Sequence, residues 1–205
     1  MHKVLIVDDH ESMSDSLSHA LTNTNLFTVV GCLKSAEHAE LYCMKLRPDL
    51  VLMDVCTEWG ASGIEATKTI RGKYPDIKVI VMSGFDEITY GPRAKEAGAQ
   101  AFVFKSKSLD YFVQVAEGVM AGERFFPEPK TIPTVMGEAP LTEREMEVLR
   151  LVCKHMTNKE IADELFITEH TVKYHKSNML AKTGFKKAVD LAFYMISNGL
   201  INPLY

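Results

Sequence analysis

The sequence predicts an α/β fold followed by a smaller all-α domain, and three observations carry that expectation. Five short β-rich runs, KVLIV, FTVVG, LVLM, IKVIVM and AFVF, alternate with segments of helical length, the rhythm of right-handed βαβ units and hence of a doubly wound five-stranded parallel sheet. Past Pro140 the apolar pattern turns purely helical, which predicts a four-helix domain containing a helix-turn-helix. Between the two lies ERFFPEPKTIPTVMGEAP, residues 123 to 140, whose four prolines and one glycine break any regular element. The expected organisation is a first domain over 1–122, a linker over 123–140 and a second domain over 141–205.

Taken in order, the first run ends on paired acids, Asp8 and Asp9. The helix after it carries Met13, Leu17, Ala20 and Leu21 at helical spacing. The third run, LVLMD, places four apolar residues directly before Asp54, as suits a strand buried on both faces with its acid at the carboxyl end. The fourth run is followed by Ser83 and the fifth by Lys105, and Tyr111, Val115 and Val119 stripe the last helix, which Gly122 closes. In TYGPRAKEAG, Gly91 and Pro92 interrupt the fourth helix; proline suits only a first turn, so a short helix starting at Pro92 is predicted, with residues 86–91 easily opened.

The second domain is heavily capped. Thr142 with Glu145 and Thr157 with Glu160 have capping-box spacing, and Thr168 is an N-cap for a helix running to Thr183 with Gly184 as its stop. The gap FIT, Phe166 to Thr168, has the length of the turn in a helix-turn-helix. A fourth helix after Lys187 is expected to bury Val189, Ala192, Phe193 and Ile196.

Composition narrows the function classes. No apolar run approaches the ~20 residues needed to span a bilayer, and MHKVLIVDDH lacks a secretory cleavage pattern, so a cytoplasmic protein that does not engage a membrane is expected. Cys32, Cys43, Cys56 and Cys153 have neither C-x-x-C pairing nor metal-ligand rhythm and read as buried thiols in a reducing compartment. The net charge of −4 hides an asymmetry: from Leu141 onward 9 Lys and Arg stand against 8 Asp and Glu, and upstream 14 stand against 19. Within the second domain, residues 170–189 hold Lys173, Lys176, Lys182, Lys186 and Lys187 with no acid, a basic stripe suited to a polyanion.

Asp8, Asp9, Asp54, Ser83 and Lys105 all fall at the carboxyl ends of strands, which lie side by side in a doubly wound sheet. Clustered carboxylates repel, and a hard divalent cation, with Mg²⁺ favoured, holds them together. The lysine and hydroxyl would then face the oxygens of a phosphoryl group on Asp54. The plainer alternative makes Asp8 or Asp9 a helix cap, Ser83 a turn residue and Lys105 a solvated one.

This constellation resembles the receiver domain of two-component response regulators over residues 1 to about 122. The resemblance implies a flavodoxin-like fold and a Mg²⁺ site made by Asp8, Asp9, Asp54 and the backbone carbonyl of Cys56. It also implies Asp54 as phosphoacceptor, Lys105 contacting the phosphoryl group, Ser83 as the hydroxyl that moves to it, and Phe102 as the coupled aromatic switch. The loop after Asp54 departs from the family: Thr57 and Glu58 replace its usual Met-Pro pair, and its glycine comes one residue late, as Gly63. A more mobile loop with altered phosphorylation kinetics is expected. Trp59, the only tryptophan, lies five residues beyond Asp54 and would report on the pocket.

Residues 141–201 resemble the LuxR-type DNA-binding domain through LTEREMEVL, TNKEIADELFIT, HTVKYHKSNMLAKTG and NGLI, in order and spacing. That resemblance implies Lys173, Tyr174 and Ser177 facing the major groove of double-stranded DNA. Lys159, Thr171, His175 and Asn178 are candidates for its backbone, with His175 equally a packing residue. Ala188 stands where the family commonly has arginine, and Lys186 or Lys187 is the expected substitute. The combination resembles the NarL/FixJ class of response regulators, which implies a phosphorylation-controlled transcription factor rather than an enzyme, with a sensor histidine kinase as donor and a homodimer on paired half-sites. Two rivals are a hydrolase or phosphotransferase working through an aspartyl-phosphate, and a phosphorylation-independent DNA-binding regulator whose altered loop has disabled Asp54.

Overall fold

The computed structural model describes residues 1–85, 90–128, 132–135 and 138–203, apart from the side chain of Trp59. The expectations for residues 86–89 and for Trp59 as a reporter lie outside these. The chain divides into two compact units, Met1–Pro129 and Lys130–Tyr205.

The first unit is a five-stranded parallel sheet of order β2-β1-β3-β4-β5. Its strands are β1 (His2–Val7), β2 (Phe27–Leu33), β3 (Leu50–Asp54), β4 (Lys78–Ser83) and β5 (Ala101–Phe104). The helices between and after them are α1 (Glu11–Asn23), α2 (Ala39–Leu46), α3 (Gly63–Lys73), α4 (Tyr90–Glu96) and α5 (Leu109–Met120). Alternation along the strands separates two cores. Leu5, Val7, Val51, Met53, Val79 and Val81 face the layer holding Cys43, Ile70 and Ala94 of α2 to α4. Val4, Ile6, Leu50, Leu52, Ile80 and Met82 face Leu17, Leu21, Phe112 and Val115 of α1 and α5. With both faces covered, all five residues of β3 are buried. The order reverses between β1 and β3, so their carboxyl ends flank the crevice where such sheets bind ligands.

The described part of helix α4 runs Tyr90–Glu96 and so already includes Tyr90 and Gly91 ahead of Pro92, the start that the sequence predicts.

The second unit holds α6 (Glu143–Cys153), α7 (Asn158–Glu164), α8 (Glu169–Thr183) and α9 (Ala188–Ser197) around Val148, Leu149, Ile161, Val172, Met179, Leu191 and Met195. Both capping boxes form, Thr142 with Glu145 and Thr157 with Glu160. Thr168 caps α8, and Gly184 ends it in the left-handed conformation. Helix α7 ends through Phe166 N to Asp163 O and Ile167 N to Ala162 O, with Phe166 at φ 54° where glycine is usual. The buried face of α9 differs from expectation. Ala192 is buried and Ile196 packs partly buried on the core as expected, but Val189 and Phe193 are exposed, and Leu191 and Met195 are buried in their place. Two apolar stripes share this helix, and periodicity alone cannot rank them. Among the described residues no helix is long and apolar enough to cross a membrane.

The 123–140 stretch is partly built into the two units. Phe125 bridges Ala101 at the edge of β5, Ile132 packs on the second core, and Val135 N donates to Lys182 O.

Glu145 is the buried charge of the second unit. Its carboxylate meets Lys182 Nζ at 2.8 Å and accepts from Thr142 N at 2.8 Å. Burial pushes its pKa up, but Lys182 and the Thr142 amide outweigh burial and leave it below the usual value. A carboxylate whose pKa falls on folding contributes stability above its unfolded value, about 4.3, and loses that contribution as pH falls through the lower folded value. Glu145→Ala, which strands Lys182, is therefore expected to cost about 3 kcal/mol near neutral pH. Urea unfolding of α6 to α9, followed by amide exchange, should show the difference from wild type shrinking below pH 4. A difference unchanged down to pH 3 contradicts this account.

Candidate functional site

The carboxyl ends of β1 and β3 bring Asp8 and Asp54 together, both nearly fully buried. Lys105, directly after β5, spans them with Nζ 2.8 Å from Asp8 Oδ1 and 2.8 Å from Asp54 Oδ2. Asp9 stands beside them, half-buried. Neither acid caps α1, whose N-cap is His10 without any side-chain cap bond. The capping alternative is therefore not what these acids do. Asp8 Oδ1 instead accepts from His10 N at 2.9 Å, which fixes the turn out of β1.

Burial raises the Asp54 pKa to about 6; Lys105 opposes that rise and Asp8 and Asp9 add to it. For Lys105, burial works to lower the pKa, but Asp54 and Asp8 prevail and raise it, so the lysine stays charged. One cation against three carboxylates leaves the pocket negative when all are ionised. Asp8 Oδ2 is buried and without a hydrogen-bond partner, an arrangement that is costly unless something positive meets it. Asp9 Oδ1 has His10 Nδ1 at 2.8 Å but no aligned donor. Ligand atoms of Asp8, Asp9, His10 and Asp54 all lie within 4.8 Å of one another. Clustered carboxylate oxygens, two of them buried without a hydrogen-bond donor, fit a hard divalent cation. Imidazole also suits softer ions. Sequence reasoning misses His10, although the run Asp8-Asp9-His10 already places a ligand-type side chain beside the acids.

Ser83 is buried, but its hydroxyl donates to Phe85 O at 2.8 Å and accepts from Phe85 N at 3.0 Å. Its backbone carbonyl takes Lys105 N at 2.7 Å, so β4 and β5 register the lysine against the pocket while the hydroxyl serves its own loop. Phe102 is buried in the α2 to α4 core, edge-on to Phe104 at 5.3 Å. Cys56 pairs with Ser62 in an isolated bridge at the base of the loop; of the four cysteines expected to be buried, Cys43 and Cys153 are, whereas Cys56 is half-buried and Cys32, on the edge strand β2, is exposed.

The loop after Asp54 is anchored to its surroundings by several hydrogen bonds. Thr57 is buried; its hydroxyl accepts from Ala36 N at 2.9 Å and donates to Ala61 O at 2.8 Å. Glu58 N reaches Lys34 O at 3.1 Å, and Ser62 caps α3. Gly63 is demanded by sterics, because a Cβ there would lie 1.8 Å from the Asp54 carbonyl oxygen. The late glycine therefore sits where the backbone passes hard against the end of β3.

Helix α8 is 15 residues long, about 22 Å and sized for a major groove. Its lysines divide into two groups. Lys182 is engaged by Glu145, and Lys176 Nζ donates to Asn158 Oδ1 at 2.7 Å, its pKa lowered by burial. Lys173, Tyr174 and Ser177 are exposed, as are Lys159, Lys186 and Lys187. Thr171 is held in the cap by Thr168, hydroxyl to hydroxyl at 2.9 Å. His175 and Asn178 are half-buried, and the His175 ring stands edge-on to Tyr174 at 5.7 Å.

Comparison with known proteins gives two family matches, the response regulator receiver domain over residues 4–117 and the bacterial regulatory proteins of the luxR family over residues 139–195. The response regulator protein VraR of Staphylococcus aureus is 35% identical over 207 aligned residues, covering 97% of this chain and 98% of its own. Among solved structures, a LuxR-family two-component response regulator from Aurantimonas is 28% identical with a TM-score of 0.58, covering 61% of this chain and 89% of its own. A structure of two RcsB dimers bound to two parallel DNAs shares the fold at TM-score 0.67 and 22% identity, over 96% of this chain and 98% of its own.

Proposed function

The chain belongs to the response regulators that couple a receiver domain to a luxR-family DNA-binding domain, and we propose that it is a DNA-binding transcription regulator whose Asp54 takes a phosphoryl group from a sensor histidine kinase. The carrying observation is Lys105 bridging Asp8 and Asp54 at 2.8 Å each beside an orphaned Asp8 oxygen. In this reading Asp54 attacks the phosphorus of a phosphohistidine, the P–O bond forms as the P–N bond breaks, and the imidazole leaves. Lys105 neutralises charge on the phosphoryl oxygens, and Asp8, Asp9, Asp54 and the Cys56 carbonyl hold Mg²⁺. The ion, when bound, supplies charge neutralisation to the transferred group. Ser83 gives up its Phe85 contacts to reach the phosphoryl group, and Phe102 follows.

On the DNA side, Lys173, Tyr174 and Ser177 enter the major groove. Lys159, Thr171, His175, Asn178, Lys186 and Lys187 serve the backbone. Homodimers read paired half-sites; RcsB, for its part, binds DNA as dimers. The test is selection of DNA from a random pool with and without an acyl-phosphate donor. It should yield one operator, enriched more strongly by the phosphorylated protein. Enrichment equal in both arms would point to the phosphorylation-independent reading.

The lysines give a sharper expectation. Each phosphate contact removed should flatten the plot of log K against log[salt] by about one unit. Lys186→Ala is therefore expected to weaken all DNA alike and flatten that slope. Lys173→Ala should cost roughly 1 to 3 kcal/mol mainly on the operator and relax preference at one position. Equal losses on operator and random DNA for both variants would remove Lys173 from base readout.

A further inference from the structure

The segment that leaves α5 does not leave the sheet. Gly122, at φ +99°, turns the chain back, and Glu123 N bonds Gly118 O at 2.8 Å. Phe125 then pairs in parallel with Ala101: Phe125 N donates to Gln100 O at 3.1 Å, and Phe102 N donates to Phe125 O at 2.8 Å. Phe125 packs on the core of α1 and α5, and Phe126 packs on the core of α2 to α4 under Lys95 at 5.9 Å. Consecutive side chains on opposite faces are the mark of a strand. The seat is specific, since a Cβ on Gly118 would stand 2.5 Å from the Phe125 ring.

This extended segment, bridged to Ala101 through Phe125, lies along the outer edge of β5. The inner edge of β5 pairs with β4, with Ser83 opposite Phe104 and Lys105 N bonded to Ser83 O. The four residues of β5 thus stand between the carboxylate pocket, which Lys105 enters, and the strand that runs on into the proline-rich stretch. Among the described residues two backbone bonds tie the outer segment to β5, few enough to open without unfolding the sheet. Proline directly after it, at Pro127, stiffens the continuation.

We propose that residues 123–126 form the output strand of the first unit: a change at Lys105 shifts β5, alters the pairing of Phe125, and so redirects the chain that leads to the DNA-binding unit. This rests on the regulatory reading above. The test uses full-length protein, acetyl phosphate with Mg²⁺, and operator DNA. Phe125→Pro removes the N–H to Gln100 and should be phosphorylated to the wild-type extent, while its ratio of phosphorylated to unphosphorylated DNA affinity falls below twofold. Phe125→Ala, which keeps both backbone bonds, should retain more of the wild-type ratio. Amide exchange on the wild type checks the same idea without a variant: the Phe102 and Phe125 amides should change at least tenfold in rate on phosphorylation. A wild-type ratio in Phe125→Pro, or exchange at those two amides indifferent to phosphorylation, overturns the output strand. A wild type whose DNA affinity ignores phosphorylation overturns the regulatory reading itself.

Discussion

Asp54→Ala is expected to abolish phosphoryl uptake outright, with no incorporation from acetyl phosphate or a phosphorylated kinase, while the wild type takes up one group per chain only when Mg²⁺ is present. The effect is all or none because, among the described residues, no other carboxylate has this environment. Asp8 is held by Lys105 and by His10 N, and Asp9 is the more exposed of the pair. Intact-mass measurement of the acid-stable fraction, with and without chelator, reads the result directly. Incorporation into Asp54→Ala, or labelling that survives chelation, would move the chemistry elsewhere. Mg²⁺ should also raise the thermal midpoint of the wild type, since a ligand bound only by the folded state stabilises it by mass action. That rise should be smaller in Asp54→Ala.

Gly63→Ala should be the most damaging conservative change in the first unit. The added methyl would stand 1.8 Å from Asp54 O and 2.9 Å from the Met53 side chain, and the nearest obstacle is backbone that cannot swing aside. Either the start of α3 or the end of β3 must shift. Overpacking of this kind costs about 3 kcal/mol, and it displaces Asp54, the proposed phosphoacceptor. Gly72→Ala is the control. It lies in the same helix with nothing within 4 Å of its added Cβ, so it should stabilise by about 0.5 to 1 kcal/mol. Denaturant midpoints of the two variants should move in opposite directions, and phosphorylation should slow only in Gly63→Ala. A Gly63→Ala protein with wild-type stability and kinetics would show that the loop relaxes freely.

Much of this is legible in sequence because local rules are strong. Strand ends announce themselves as apolar runs stopping at Asp8, Asp54, Ser83 and Lys105, and a parallel sheet places such ends along one edge. Threonine with glutamate three residues on suffices for both capping boxes, since that interaction closes within one turn. Thr168 as N-cap and Gly184 as stop likewise bracket α8, because cap and stop act within one turn of the helix ends.

Sequence reasoning fails where several elements compete for one residue. Val189 and Phe193 have the same helical spacing as the residues that are buried, and only the packing of α6 and α8 on α9 selects which stripe turns inward. Lys176 and Lys182 look like Lys173 among the basic residues of α8. Asn158 and Glu145, which bind them, arrive from other helices 18 and 37 positions away. The loop after Asp54 looks free because Thr57 and Glu58 are polar. Their partners, Ala36 N and Lys34 O, lie on the far side of α2 in sequence and are brought close only when β2 and β3 flank β1. The sheet, the domain order and the pocket acids follow from the amino-acid order, because periodicity and turn chemistry act over a few residues. Which lysines are left for DNA, which face of α9 is covered and how Phe125 joins β5 are set by folding in three dimensions, because each depends on a long-range contact that removes one group from water in favour of another.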